Sequence, residues 1–204
     1  VKTFRDLLIA EFSPYGTLSV DQLAQLERHY ELLLRWNKSL NLTRIQDVEE
    51  AVRFHYCESL FLGRALPKGE QRVVDVGSGA GFPGFPVAVL RPEFRVDLIE
   101  SHQRKAVFLR EVTEAVHNVR VFAKRAEHCK AEYNWMIARG VCATDVLDSQ
   151  LAPNFAFLMS VDDAAKTSDI QRVEPCPWGA KRVIAFHVEH GESNRHHESK
   201  GRGR

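Results

Sequence analysis

The chain is short of cysteine, of uncompensated charge and of long apolar runs, and each shortage removes a class of protein. Its four cysteines, Cys57, Cys129, Cys142 and Cys176, stand 72, 13 and 34 residues apart. No CxxC pair is present to read as zinc ligands or a redox dithiol, and reduced thiols in a cytoplasmic protein are the expectation. Lysine and arginine number 28 against 27 aspartates and glutamates, a formal charge of +1. That balance excludes a protein that coats nucleic acid or membrane with a uniform field; a polyanionic partner must be met by a local patch. No stretch approaches the roughly 18 apolar residues of a membrane span. The segment from Val1 to Glu11 carries two acids among its apolar residues, so no signal peptide is expected either.

What is present is an ordinary globular composition. With 204 residues and a mean hydropathy of -0.29, folding should bury roughly 70% of the unfolded surface, so the core needs neither disulfides nor a metal. No internal repeat is seen.

Residues 1–66 read as a helical cap. Ser19 and Gln22 have the spacing of a capping box, and Val20, Leu23, Leu26, Tyr30, Leu33 and Leu34 follow with helical periodicity. Asp47 and Glu50 open a second helix through about Phe61, which Gly63 and Pro67 are expected to stop. From Arg72 short β-branched runs alternate with helical stretches: 72–77, 94–100, 118–122, 134–138, 153–159 and 182–188. This alternation predicts a Rossmann-like α/β core over 67–190 with a doubly wound, mostly parallel sheet, although 153–159 reads equally as a short core helix. Residues 191–204, polar and basic without an apolar residue, are expected to be a disordered tail.

Charge is placed unevenly. Residues 101–130 hold 7 basic and 3 acidic residues, 141–180 hold 2 and 6, and 181–204 hold 6 and 3. The two basic stretches are the candidates for phosphate contact.

The strongest signal is the run from Val73 to Gly84, VVDVGSGAGFPG, a strand entering a glycine turn and then a helix. Gly77, Gly79 and Gly81 let the backbone turn tightly and approach a ligand without Cβ atoms in the way. Glu100 ends the next strand 23 residues after Gly77, where a carboxylate can accept from both ribose hydroxyls of an adenosine. A dinucleotide site would read GxGxxG; here the spacing is GxGxG, and Asp75 stands two residues before the first glycine. Its charge disfavours a pyrophosphate and suits the sulfonium or amino group of S-adenosylmethionine, so the methyl donor is favoured over NAD and over a glycine turn without a ligand.

Other motifs carry less. Asn154-Phe155 lacks the two prolines of an exocyclic-amine methyltransferase loop. Cys176, between Pro175 and Pro177, reads as a structural cysteine in a turn rather than a thiolate nucleophile. His187, His190, His196 and His197 lack the spacing of a zinc helix, so no metal site is expected. The segment Trp36 to Thr43, WNKSLNLT, ends an amphipathic helix with two amides and a hydroxyl beside an indole, which fits helix termination as well as a site.

Taken together, WNKSLNLT (36–43), Arg53-Phe54-His55, DVGSGAGFPGFPVAV (75–89), the segments 91–101 and 104–112, Arg125-Ala126-Glu127 and IARGV (137–141) resemble the RsmG family. These bacterial enzymes, also called glucose-inhibited division protein B, methylate guanine N7 in small-subunit (16S) ribosomal RNA. The likeness runs from about Leu18 to Gly140 and resumes weakly at 178–188. It implies a class I S-adenosylmethionine-dependent methyltransferase fold, a ribosomal RNA or subunit partner, and a cytoplasmic monomer. By this resemblance Asp75, Gly77, Ser78, Gly79, Gly81 and Phe82 would surround the amino-acid end of the donor. Glu100 and Ser101 would hold its ribose and Ala126-Glu127 its adenine. Asn41, His55, Arg139 and Arg182 would stand around the reacting base, with Arg139 also on the donor side.

The sequence departs from the family at the end of the fifth strand, where Phe157-Leu158-Met159-Ser160 replaces an Ala-Leu-Lys-Gly-type segment, and around 141–153 and 160–173, which are short. Two alternatives follow: an RNA-binding assembly factor of reduced activity that keeps the cofactor fold, and a small-molecule methyltransferase.

Overall fold

The computed structural model describes residues 2–189; the expected tail and three of the four carboxyl-terminal histidines named above lie outside the described residues. The cap begins with α1 (Phe4–Phe12), opened by a reciprocal capping box between Thr3 and Asp6 that the apolar pattern alone does not single out. Helix α2 (Val20–Leu40) starts at Ser19 and Gln22 as expected and ends on Asn41 in the left-handed conformation, φ 48°. Asp47 caps α3 (Val48–Ala51), which passes through a π-helical turn, Val52–Cys57, into α4 (Glu58–Ala65). Gly63 does not stop this helix. A Cβ there would lie 3.3 Å from Val87 and 3.4 Å from Leu90, so the glycine serves close helix packing instead.

The rest alternates: β1 (Arg72–Val76), α5 (Gly84–Leu90), β2 (Arg95–Ile99), α6 (Gln103–Thr113), β3 (Val119–Phe122), β4 (Trp135–Arg139), α7 (Ala143–Leu147), β5 (Asn154–Ser160), α8 (Val161–Ala164), β6 (Arg172–Pro175) and β7 (Arg182–His187). The strands form one sheet in the order β3-β2-β1-β4-β5-β7-β6, parallel through β5, with β7 antiparallel to β5 and β6 antiparallel to β7. Residues 153–159 therefore belong to a strand and not a helix, paired on both sides, as their aromatic and apolar run allows. Strand β6 escapes the hydrophobic pattern because it is a four-residue edge strand, mostly exposed and ending on a proline that an edge tolerates.

One face of the sheet is deep. Phe12, Leu26, Tyr56, Leu60, Phe85, Leu98 and Phe108 bring the cap, α5 and α6 into a single apolar cluster. The opposite face, with Val74, Met136, Phe155 and Phe157, is covered by the short α7 and by loops that contribute Tyr133 and Leu151. Helix α2 is tied to α5 and α6 by polar contacts as well. Gln22 Nε2 donates to the Val89 carbonyl at 2.9 Å, and Trp36 Nε1 donates to Glu111 at 2.8 Å. Among the described residues no helix is long and apolar enough to cross a membrane.

Candidate active site

The direction of strand succession reverses between β1 and β4, and it is over the carboxyl ends of such strands that an open α/β sheet leaves a crevice. The glycine turn sits there. The N–H groups of Gly77 and Ser78 both donate to the Ile99 carbonyl, at 2.9 and 3.0 Å, which fastens the turn across β1 and β2. Gly77 has φ 72°, and a Cβ on it would stand 2.6 Å from Val141 Cγ1; on Gly79, at φ 55°, a Cβ would meet the Gly77 carbonyl oxygen at 3.8 Å, an ordinary contact.

Two carboxylates frame this turn. Glu100, 7% exposed, accepts from Gly79 N at 2.9 Å and from His102 N at 2.7 Å. One N–H on each oxygen leaves acceptor capacity on both. Asp75 is fully buried; its Oδ2 accepts from Gly84 N at 2.9 Å, while its Oδ1 has no partner among the described residues. Burial raises this carboxyl to about 7, against the opposing effects of the Gly84 hydrogen bond and Arg139. A buried acceptor without a donor is costly, and a cationic or N–H-bearing ligand group would relieve it.

Two recesses flank the turn. One, of about 300 Å³, is lined by Gly77, Ile99, Ser101, Ala126, Glu127 and Val146. The other, of about 490 Å³, opens among the ends of β4, β5 and β7 and includes Arg139, Thr144, Met159, Asp163, Lys166 and Arg182. Val141 and Cys142 line both. Of the expected donor residues, Gly77, Ser101, Ala126 and Glu127 line the smaller recess. Ser78, Gly81 and Phe82 are buried behind it: Ser78 Oγ donates to the Asp75 carbonyl, and Phe82 is enclosed by His29, His55 and Tyr56.

The cap reaches the larger recess through a chain of hydrogen bonds. Asn37 clamps Thr43 by donating to its carbonyl and accepting from its N–H, both at 2.9 Å. Thr43 Oγ1 lies 2.7 Å from His55 Nε2, and Arg139 Nη2 lies 2.8 Å from His55 Nδ1. Arg139 Nη1 donates to the Phe54 carbonyl at 2.6 Å. A guanidinium only donates, so His55 Nδ1 accepts and the ring proton sits on Nε2, directed at Thr43. Burial, with Arg139 adding to it, pushes His55 down to about 3. Burial also lowers Arg139, to about 10. His55 stacks on Phe82 at 4.7 Å, and Arg139 lies 5.0 Å over the same ring.

Arg182 donates through Nε and Nη2 to Glu58, at 3.2 and 2.9 Å, and that carboxylate is fully buried. Asn41 stands apart from these groups: it is exposed, in an open polar recess with Asn37, Thr43, Arg44 and Gln46. Sequence reasoning passed over Glu58 because an acid on a helix ordinarily marks a solvated face. The pairing partner lies 124 residues away, which no local pattern reveals. Thr43 and Asn37 were within a quoted motif, but their reciprocal clamp depends on the backbone of the turn after α2.

The family described as rRNA small subunit methyltransferase G (GidB) matches residues 22–157. The ribosomal RNA small subunit methyltransferase G of Streptococcus pneumoniae serotype 19F (strain G54) is 35% identical over 162 residues, covering 74% of this chain and 67% of that protein. The protein of the same name from Chloroflexus aggregans is 36% identical over 156 residues, covering 72% and 66%. Among solved structures, a SAM-dependent methyltransferase from Aquifex aeolicus superposes with a TM-score of 0.57 at 15% identity, covering 72% of this chain and 97% of that one. A ribosomal protein L11 methylase from Lactobacillus delbrueckii subsp. bulgaricus gives 0.53 at 16% identity, covering 66% and 79%. These structural likenesses establish the class I methyltransferase fold. The sequence matches establish descent: this chain belongs to the rRNA small subunit methyltransferase G family.

Proposed function

We propose that this chain transfers a methyl group from S-adenosylmethionine to N7 of a guanine in small-subunit ribosomal RNA. The observation that carries the reading is the buried Oδ1 of Asp75, unpartnered among the described residues, beneath a glycine turn whose second glycine would bring a Cβ no nearer than 3.8 Å to its surroundings. The donor supplies a methyl group on a positively charged sulfonium. Asp75 and the turn Gly77–Gly81 would take its amino-acid end, Glu100 and Ser101 its ribose, and Ala126-Glu127 its adenine. Ser78, Gly81 and Phe82 would act from behind by fixing the turn.

Guanine N7 already carries a lone pair, so the chain needs no base to remove a proton first. It needs in-line positioning and exclusion of competing orientations. Arg139 and Arg182 line the recess beside the donor and can hold phosphate or O6. Neutral His55 orients Arg139, and Asn41, exposed at the end of α2, would meet the RNA from the cap side. Basic residues such as Arg104 and Lys105 on α6 provide phosphate contacts.

The test is incubation of the full chain with labelled donor and small-subunit RNA or subunits, followed by cleavage at N7-methylguanine. Label with cleavage supports the reading; label without cleavage points to another methylated atom. Titration calorimetry showing no binding of donor or of its demethylated product would remove the foundation. A second reading, an assembly factor of reduced activity, is favoured by Met159, an apolar side chain in the larger recess. It predicts donor binding without transfer.

A further inference from the structure

His29 was not among the residues that sequence reasoning marked, yet it touches the glycine turn directly. It lies near the middle of α2, 1% exposed, with Nε2 2.9 Å from the Ala80 carbonyl and Nδ1 2.6 Å from the Tyr56 hydroxyl. A carbonyl accepts only, so Nε2 carries the proton and Nδ1 accepts from Tyr56. The Ala80 carbonyl thereby fixes the tautomer, and the fully buried Tyr56 hydroxyl, which can donate or accept, donates to the remaining ring nitrogen. Burial keeps the ring uncharged, lowering it to about 4.

The ring is held in its plane by stacking on Phe85 at 4.7 Å and by edge contacts with Phe82 and Phe108. Ala80 sits in the irregular stretch between Gly79 and Pro83, and among the described residues no backbone N–H reaches its carbonyl. The neighbouring groups are otherwise engaged: Gly81 N and Phe82 N both donate to Ser78 O, at 2.7 and 3.2 Å, and Gly79 N donates to Glu100. Gly81, at φ 89°, lies so close that a Cβ on it would be 3.2 Å from His29 Nε2.

We propose that His29 is a positioning residue for the donor-binding turn, holding the Ala80 carbonyl with its Nε2 proton while Tyr56 anchors the other ring nitrogen. The inference rests on the donor site assigned above. It makes the cap a part of that site: α2 supplies the one hydrogen bond that the Ala80 carbonyl makes among the described residues.

The test uses the full chain and three variants, His29→Phe, His29→Gln and Tyr56→Phe. Phenylalanine keeps the stacked ring without a hydrogen bond; glutamine keeps a donor and an acceptor. Donor-free hydrogen exchange at residues 79–83 should accelerate about tenfold in His29→Phe, the scale expected from one lost buried hydrogen bond. Affinity for S-adenosylhomocysteine should fall by a similar factor, with KM for the donor rising and kcat little changed. His29→Gln should restore most of both effects, and Tyr56→Phe should lie between, since the ring keeps its bond to the Ala80 carbonyl but loses its anchor at Nδ1.

Unchanged exchange and affinity in a folded His29→Phe would overturn the proposal, as would a His29→Gln variant no better than phenylalanine. If His29→Phe does not fold, the ordering of His29→Gln and Tyr56→Phe against the natural chain decides. A natural chain that binds no donor would overturn the proposed function, while the exchange measurement would still judge His29.

Discussion

Nη2 of Arg139 stands 2.8 Å from Nδ1 of His55, and because the guanidinium has nothing to accept with, the imidazole must be the acceptor. His55 is thus placed to orient the arginine, with its remaining N–H spent on Thr43. Substitution by alanine should therefore spare donor affinity, within about threefold, and slow transfer by roughly 10–100-fold, the range of one hydrogen bond to a charged group. Calorimetry with the donor and single-turnover transfer to RNA measure the two quantities. Full transfer activity in His55→Ala would show that Arg139 needs no such partner.

Gly79→Val should abolish detectable donor binding, because the added side chain would occupy the surface of the turn assigned to the donor and the residue has φ 55°. Backbone strain alone has a ready control. Gly69, at φ 89° with nothing within 4 Å, lies outside the site, so Gly69→Val should lose comparable stability and keep its donor affinity. Equal donor affinity in the two variants would refute the placement of the ligand over Gly79.

How much of this was legible beforehand varies with sequence distance. The Ser19–Gln22 cap, the parallel strands and the glycine turn rest on neighbours within a few residues, and they stand where periodicity put them. Glu58–Arg182 and Tyr56–His29–Ala80 depend on where whole elements dock, so the same residues read locally as a surface acid and a helix-face histidine; Asn37–Thr43 is a local clamp, but its tie to His55 is made only when the turn after α2 meets the π-helical turn. Strand β6 was hidden for another reason: an exposed edge has no apolar face to repeat.

The Glu58–Arg182 pair should behave as a buried ion pair. Removing the cation in Arg182→Met leaves a fully buried carboxylate without its bidentate partner and should cost about 3 kcal/mol. Adding Glu58→Gln should recover much of that loss. Urea denaturation of the single and double variants gives the coupling, and additive losses would mean the two side chains act independently.

Acid should destabilise the fold more gently than its buried histidines alone would require. His29 and His55 are lowered to about 4 and 3 from an ordinary 6.5, so the unfolded chain takes up protons that the folded chain refuses as pH falls below 6.5. Asp75, raised to about 7 from 3.8, has the opposite sign: the folded chain holds its proton across this range and the unfolded chain does not. Between pH 6 and 5 the unfolded state keeps a net excess of somewhat under one proton from these three groups, so stability should drop by about 1 kcal/mol. Asp75→Asn should steepen that dependence and His29→Gln should flatten it, as read from denaturation midpoints across the interval. A slope unaltered in both variants would mean that these groups are not the ones titrating.

Helix α2 touches the catalytic core with polar atoms at Gln22, His29 and Trp36. These positions are seven residues apart, two turns each, so they form a nearly straight seam along a rod about 31 Å long. The helix therefore works as a gauge. One residue inserted between His29 and Trp36 would turn the far half by about 100° and advance it about 1.5 Å. Gln22 and His29 would keep their grip while Trp36 lost Glu111 and the Asn37–Thr43 clamp was carried away from His55. Donor capture and alignment of Arg139 would then be set to different lengths, and a protein that still bound its donor would miss its substrate.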